Sequence, residues 1–277
     1  MRPTVSVILA TYNTRDLLAR CLEALPAALE GVDYEIWVVD NGSQDGTAEW
    51  LRTAHPEVRL IRNPDNRGFA AANNQAMAQA RGRYFLLLNT DTIPLPGSLT
   101  ALVDYLEGHP EVGMAGGNLL NPDGSPQGCA ADFPTLWTEL LLLTGPLGRW
   151  LLGSSFPFHP PAESPMPVDW VSGACLLVRR EVVEAIGGLD EGYFMYSEEV
   201  DWCWRARRAG WEVVVVPPAR VIHLGSATAR RMDGWRRRWL YASKARFLRR
   251  AYGPIPAACY EAAVWLTTLL KWLGMRL

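Results

Sequence analysis

Val38-Val39-Asp40-Asn41-Gly42-Ser43-Gln44-Asp45-Gly46-Thr47 holds a strand end, a turn and a helix start in one short stretch. The valines close an apolar run that begins near residue 35, and an acid ends it. Asn, Gly, Ser and Asp then supply turn chemistry, and Thr47 stands where a helix can open. In open α/β sheets ligands collect beyond the carboxyl ends of the strands, so Asp40 projects where a base or ribose would sit. An ordinary turn uses the same residue types, and the segment taken alone supports either view.

The same alternation runs outward on both sides. Short β-rich runs at residues 5–10, 35–39, 58–61 and 84–88 are separated by stretches with helical spacing at 17–29, 48–54 and 70–80, with Thr14 or Asp16 and Thr47 as caps. A helix over 96–107 and a strand near 112–115 follow. This is the pattern of a parallel sheet covered by helices. The first strand runs into Thr11-Tyr12-Asn13 without a G-x-G-x-x-G turn, which tells against a nicotinamide-type site. Residues 118–166 loosen into Pro/Gly-rich segments around an apolar piece at 136–152, read as a variable insertion near an acceptor site. Order returns with a strand over 168–178, helices over 180–186 and 199–209, the latter closed by Gly210, and short strands at 213–216 and 220–223.

The 277 residues are 49% hydrophobic with a net charge of −2, enough apolar material for one large domain and no overall charge that suggests nucleic acid. The five cysteines are scattered without a C-x-x-C pair, which argues against a disulfide framework or a zinc site. Residues 1–4 lead straight into a strand with no cleavage site after it, so cytoplasmic residence is the expectation. The apolar stretches 136–152 and 257–273 are interrupted by Gly145-Pro146 and by Glu261 and Lys271, too broken for clean spanning helices. Residues 230–250 carry nine Arg or Lys against the single Asp233. This segment either lies on anionic lipid, helped by the Trp- and Leu-rich tail, or packs on the domain with a solvated face.

Three further clusters carry candidate chemistry. Asn66-Arg67-Gly68-Phe69-Ala70 opens a helix with small residues, where backbone N–H groups and the helix dipole favour a diphosphate, although alanines are good helix formers in any case. Leu86-Leu87-Leu88-Asn89-Thr90-Asp91 ends an apolar strand with a carboxylate, the arrangement a hard Mg²⁺ or Mn²⁺ needs when phosphates and water complete its shell. A strand-terminating turn explains it equally well. Tyr193 to Arg205 sets Glu198, Glu199 and Asp201 among aromatics at a helix start. Dipole stabilisation and an Asp201–Arg205 pair account for the acids structurally, but not for aromatic flanks on both sides, which suit sugar rings beside a proton-accepting carboxylate. His223 follows a short strand, where a lone histidine is more often structural than a ligand.

The order of these motifs resembles the family 2 glycosyltransferases of GT-A fold, and within them the bacterial rhamnosyltransferase-like branch. The resemblance covers roughly residues 5–253 and implies a Rossmann-like mixed α/β sheet flanked by helices with a helical C-terminal appendage. It divides the chain into a catalytic domain at 1–228, with a nucleotide-sugar half at 1–117 and an acceptor half at 118–228, and helices at 229–277. Carried over by position, Thr11, Tyr12, Asn13, Asp40, Asn66, Gly68, Asn89 and Thr90 bind the donor. Asn89-Thr90-Asp91 takes the place of the D-x-D metal motif, with Asn where its first acid stands, so Asp91 is the direct ligand. His223 falls where relatives complete the metal shell. Trp170, Gly173 and Ala174 belong to the acceptor-side strand. The catalytic Glu-Asp-hydrophobic-Asp motif reads Glu198-Glu199-Val200-Asp201 here, which makes Glu199 the base with Glu198 as the alternative.

The resemblance thus implies inverting, metal-dependent transfer from a UDP- or dTDP-sugar to a hydroxyl of a glycan or polyprenyl-linked acceptor in cell-surface polysaccharide synthesis, with peripheral contact to the inner membrane face through residues 230–277. Two rivals stand beside it. A sugar nucleotidyltransferase would carry a Gly-rich, basic loop after the first strand, which residues 10–14 lack. A non-catalytic nucleotide-sugar sensor is kept open by Asn89 and Glu199.

Overall fold

The computed structural model describes residues 2–153, 157–159, 161–225 and 233–273, with the side chains of 233–236 left aside. Its first half alternates β1 (Val5–Thr11), α1 (Arg15–Ala28), β2 (Tyr34–Asp40), α2 (Thr47–Ala54), β3 (Arg59–Arg62), α3 (Gly68–Met77) and β4 (Tyr84–Leu88). Then come β5 (Thr92–Pro94), α4 (Ser98–Gly108), β6 (Val112–Leu120), β7 (Pro126–Gln127), β8 (Ala130–Ala131), α5 (Leu136–Leu143) and α6 (Pro146–Leu152). The rest comprises β9 (Met166–Pro167), β10 (Trp170–Val171), β11 (Cys175–Arg179), α7 (Arg180–Ile186), α8 (Glu198–Arg208), β12 (Glu212–His223), α9 (Asp233–Tyr252) and α10 (Pro254–Trp272).

The main sheet runs β3-β2-β1-β4-β11-β6-β12-β5. β1, β2, β3 and β4 are parallel, β11 is antiparallel to both β4 and β6, and β5 returns antiparallel to β12. The chain winds outward from β1 in one direction to β3 and then crosses to β4. Such a reversal opens a crevice beyond the carboxyl ends of β1 and β4, where open α/β sheets bind ligands. Val7, Ile8 and Leu9 and the Leu86-Leu87-Leu88 run are fully buried because helices cover both faces of these central strands, hence their unbroken apolar sequences. Each such side chain contributes about 1.5–3 kcal/mol on burial.

The structure departs from the expected elements where tertiary pairing overrides local pattern. Residues 168–178 form two strands: β10 pairs with β8 in a separate small sheet, and the chain turns at Ser172, whose Oγ accepts the Ala174 N–H, before β11 enters the main sheet. Residues 213–216 and 220–223 are one strand with an irregularity at Pro217-Pro218-Ala219, held on both sides by β6. Asp45, rather than Thr14 or Asp16, caps α1: its carboxylate accepts the Arg15 N–H and, from its other oxygen, the Thr47 N–H at the start of α2. The expected boundary at 228/229 lies outside the described residues.

The Arg-rich helix packs on the domain. On α9, Arg246 and Arg250 pair with Asp190, Arg250 also reaches the fully buried Asp201, Lys244 pairs with Glu139 of α5, and Phe247 and Leu248 are buried. Of the two alternatives for this segment, Lys244, Arg246 and Arg250 follow the packed one, because their charges meet carboxylates of the domain.

Candidate active site

A cleft of about 340 Å³ opens at the predicted crevice. Ala10, Thr11 and Tyr12 at the end of β1, Asn41 beyond β2, Asn66, Gly68 and Phe69 at α3, and Asn89, Thr90 and Asp91 beyond β4 form one wall. Ser172, Gly173 and Ala174 before β11, Met195 and Tyr196 before α8, and Glu198 and Glu199 on α8 form the other, while His223 at the end of β12 stands beside Asp91.

The first wall is braced by short polar side chains. Thr14 Oγ1 lies 2.9 Å from Thr11 Oγ1 and 3.0 Å from Thr90 Oγ1, so a chain of hydroxyls ties the ends of β1 and β4. Asp40 lies beneath the wall, fully buried. Its Oδ1 accepts the Ser43 N–H at 2.8 Å, while Oδ2 has no hydrogen-bond partner among the described residues. Asn13, in a left-handed conformation, donates its N–H to Ser43 Oγ and accepts the Gln44 N–H, which makes it a clasp between two loops outside the cleft wall.

The start of α3 is not left free for a diphosphate as expected. The Gly68 N–H goes to Asn66 Oδ1, and the Phe69 N–H goes to Phe194 O at 3.0 Å. Gly68 has φ of +85°, and a Cβ there would lie 2.5 Å from the Phe194 carbonyl oxygen. Only glycine permits this close approach, which joins the donor wall to the loop before α8.

Asp91 and His223 meet through strand pairing. β5 sets Thr92 opposite His223, and the Leu224 N–H binds Asp91 O at 2.9 Å. His223 Nε2 then sits 3.3 Å from Asp91 Oδ1, both partly exposed to the cleft. Neighbouring amides set the imidazole's proton. Asn121 Nδ2 donates to the Pro126 carbonyl, so Asn121 Oδ1 accepts from Gln127 Nε2, and Gln127 Oε1 faces His223 Nδ1 at 2.6 Å. Nδ1 therefore carries a hydrogen, and Nε2 is the ring atom turned to Asp91 Oδ1. A carboxylate oxygen and an imidazole nitrogen placed together suit a divalent cation. No group of three or more His, Cys, Asp or Glu able to hold a metal occurs among the described residues.

Across the cleft, Tyr196 and Ser197 both have positive φ, 71° and 65°, and turn the chain sharply into α8. The turn delivers Glu198 and Glu199 to the wall, and each has an Oε2 without a hydrogen-bond partner among the described residues. Burial raises both pKa values; the neighbouring Glu199 charge lifts Glu198 further, whereas the backbone amides of Glu199, Val200 and Gly173 offset part of the rise at Glu199. The pair's first negative charge thus rests more easily on Glu199. Asp201 does not join them. It is fully buried, binds Arg205 Nε at 2.8 Å and Arg250 Nε at 3.0 Å, and anchors α8 to α9 outside the cleft. Trp170 also lies outside, its indole N–H donating to Asp132 O, while Gly173 and Ala174 face the cleft.

Residues 6–187 match the family description Glycosyl transferase family 2. The chain is a family 2 glycosyltransferase. This glycosyltransferase is 34% identical over 245 residues to the N-acetylglucosaminyl-diphospho-decaprenol L-rhamnosyltransferase of Mycobacterium tuberculosis, covering 80% of the chain and 76% of that protein. It is 29% identical to the glycosyltransferase AglE of Haloferax volcanii over 79% of the chain and 68% of that protein. Among solved structures its fold is like that of the mannosyltransferase PcManGT from Pyrobaculum calidifontis in complex with GDP-Man and Mn²⁺, at a TM-score of 0.57 and 18% identity, covering 99% of the chain and 80% of that structure. GalNAc-T7 with UDP, GalNAc and Mn²⁺ aligns at a TM-score of 0.61 and 15% identity, over 89% of the chain and 47% of that structure. The glycosyltransferase therefore has the expected GT-A architecture, a mixed sheet flanked by helices with a helical C-terminal part. Thr14, Asn41, Phe69, Ser172, Met195 and Tyr196 line the cleft without having been singled out as site residues, and Gln127 supports it from behind.

Proposed function

We propose that this glycosyltransferase moves a sugar from a nucleoside diphosphate to a hydroxyl of a polyprenyl-linked glycan, with inversion, in cell-surface polysaccharide synthesis. The observation that carries the proposal is the pairing of two unlike stations across one cleft: Asp91 with His223 on one side, Glu198 with Glu199 on the other. Asp91 and His223 Nε2 would hold Mg²⁺ or Mn²⁺, which when bound neutralises charge on the leaving diphosphate. Glu199 accepts the proton of the acceptor hydroxyl as it attacks, and a single base on that side fits one displacement at the anomeric carbon. A UDP- or dTDP-sugar is the donor this reading takes, and the relative's decaprenol-linked name supports the lipid-linked acceptor and peripheral membrane contact through residues 230–277.

The test is a thermal-shift panel of nucleoside diphosphates and their sugars, with and without Mn²⁺, followed by donor hydrolysis. Stabilisation by one nucleotide that grows with Mn²⁺, together with slow metal-dependent release of free sugar, is expected. Tight binding without turnover, even with acceptor extracts, would replace the enzyme by a nucleotide-sugar sensor.

A further inference from the structure

α10 packs one face and leaves the other bare. Ala257, Tyr260 and Val264 meet Leu136 and Leu143 of α5 and Ala245 and Leu248 of α9. On the opposite side Ile255, Trp265, Leu266, Trp272 and Leu273 are exposed at 74, 67, 49, 80 and 59%. At 3.6 residues per turn these fall within an arc of roughly 120°, and no charged residue enters it. Glu261 lies at its flank, paired with Arg249. α5 lies against α10 and α6 against α5, and this hairpin adds Trp137, Leu147, Trp150 and Leu151, all more than half exposed.

We propose that the outer face of α10, together with the α5–α6 hairpin, docks this enzyme on an anionic lipid bilayer. The proposal rests on the lipid-linked acceptor reading and shifts the contact: Arg246 and Arg250 of α9 are paired with Asp190 and Asp201, and the tryptophans of α10 and the hairpin face out. Indole rings carry an apolar body and one N–H donor, the chemistry that settles at the headgroup level of a bilayer. Among the described residues no helix is long and apolar enough to cross a membrane, so the contact lies on the surface. Residues 233–273 hold eight Arg or Lys against Asp233 and Glu261, and of these Lys244, Arg246 and Arg250 are paired with Glu139, Asp190 and Asp201. Arg237 is exposed with no ion-pair partner among the described residues. That excess complements anionic headgroups, whereas a second copy presenting the same face would bring like charge against like. The docking face also sits one helix from the cleft. Ser243 of α9 donates to Met195 O at 2.8 Å, and the Trp239 ring lies tilted against Phe194 with centroids 4.3 Å apart, so the cleft loop rests on the helix that backs the lipid face.

Flotation of the full chain with phosphatidylcholine vesicles, with and without phosphatidylglycerol at low salt, tests the proposal without any nucleotide or acceptor. Its outcome is therefore separate from that of the donor-hydrolysis test. The native chain should float with the phosphatidylglycerol vesicles, and Trp265→Glu with Trp272→Glu should lower the bound fraction by about ten-fold. Trp137→Glu with Trp150→Glu should lower it too. Both pairs are exposed, so the melting temperature should hold and report an intact fold. A native chain that stays at the bottom of the gradient with both vesicle types overturns the proposal, as do variants that float like the native chain. Light scattering that shows a dimer dispersed by the Trp265 and Trp272 changes overturns it as well, because a second copy then covers the face.

Discussion

Two carboxylate stations face each other across the cleft, and their surroundings differ in kind. Asp91 is partly exposed and set against Nε2 of His223, whose Nδ1 is held by Gln127, so a carboxylate oxygen and a ring nitrogen stand together at the cleft. Glu198 and Glu199 have buried oxygens without partners, and burial raises their pKa values. Burial pushes the pair on α8 toward the proton, while the carboxylate on the other wall stands open to the cleft beside a histidine. Environment, rather than residue type, separates the two tasks.

The sharpest way to break this contrast is Glu199→Gln. It should lower kcat by about 10²–10⁴ with nucleotide affinity nearly intact, read by steady-state rates beside calorimetric titration with UDP or dTDP. Undiminished turnover would move the base to Glu198 or off α8. Asp91→Asn should cost roughly 10²–10³ in rate and, unlike the Glu199 change, abolish the dependence of nucleotide binding on Mn²⁺. Gln127→Leu probes the metal wall from behind. Without an acceptor at Nδ1 the imidazole loses its fixed tautomer, and Mn²⁺ affinity in the nucleotide complex should fall by about 10–100-fold, measured by electron paramagnetic resonance. Equal affinity would mean that Nε2 is not a ligand.

Residues of both walls are legible in the sequence, whereas the contacts that assemble the site are not. Residues 5–10, 35–39 and 84–88 show as strands because β1, β2 and β4 are buried on both faces and so carry unbroken apolar runs. β5 has three residues including Pro94 and no periodicity to read, yet its pairing with β12 is what brings Asp91 to His223. Gln127 lies 96 positions from the histidine it orients, a contact that local sequence cannot announce. Tyr196 and Ser197 adopt left-handed backbone without a glycine to signal the turn that aims the acid pair. Asp40, Asn13 and Asp201 were recognisable as special residues. Their placement beneath the wall, between loops and between helices depends on burial and partners that only the fold supplies.

The smallest expected effect bears on what the acid pair costs the fold. Glu198 is 5% exposed, and its pKa is raised by burial and then by the Glu199 charge. Below the ordinary carboxylate range both folded and unfolded chains carry the proton, and the site costs nothing. As pH rises past that range the unfolded chain ionises first while the folded one retains its proton. Stability therefore falls until the raised value is passed, by about 1.4 kcal/mol for each unit separating the two values. Glu198→Gln keeps the shape and removes the titration, so its melting temperature should match the native chain near pH 4 and exceed it by a few degrees at pH 7–8. Calorimetric melts across that range, without nucleotide or metal, read the difference directly. A variant that melts lower than the native chain at pH 8 would mean that ionised Glu198 is stabilised by a partner, and the contrast between the two walls would then be one of position rather than of protonation.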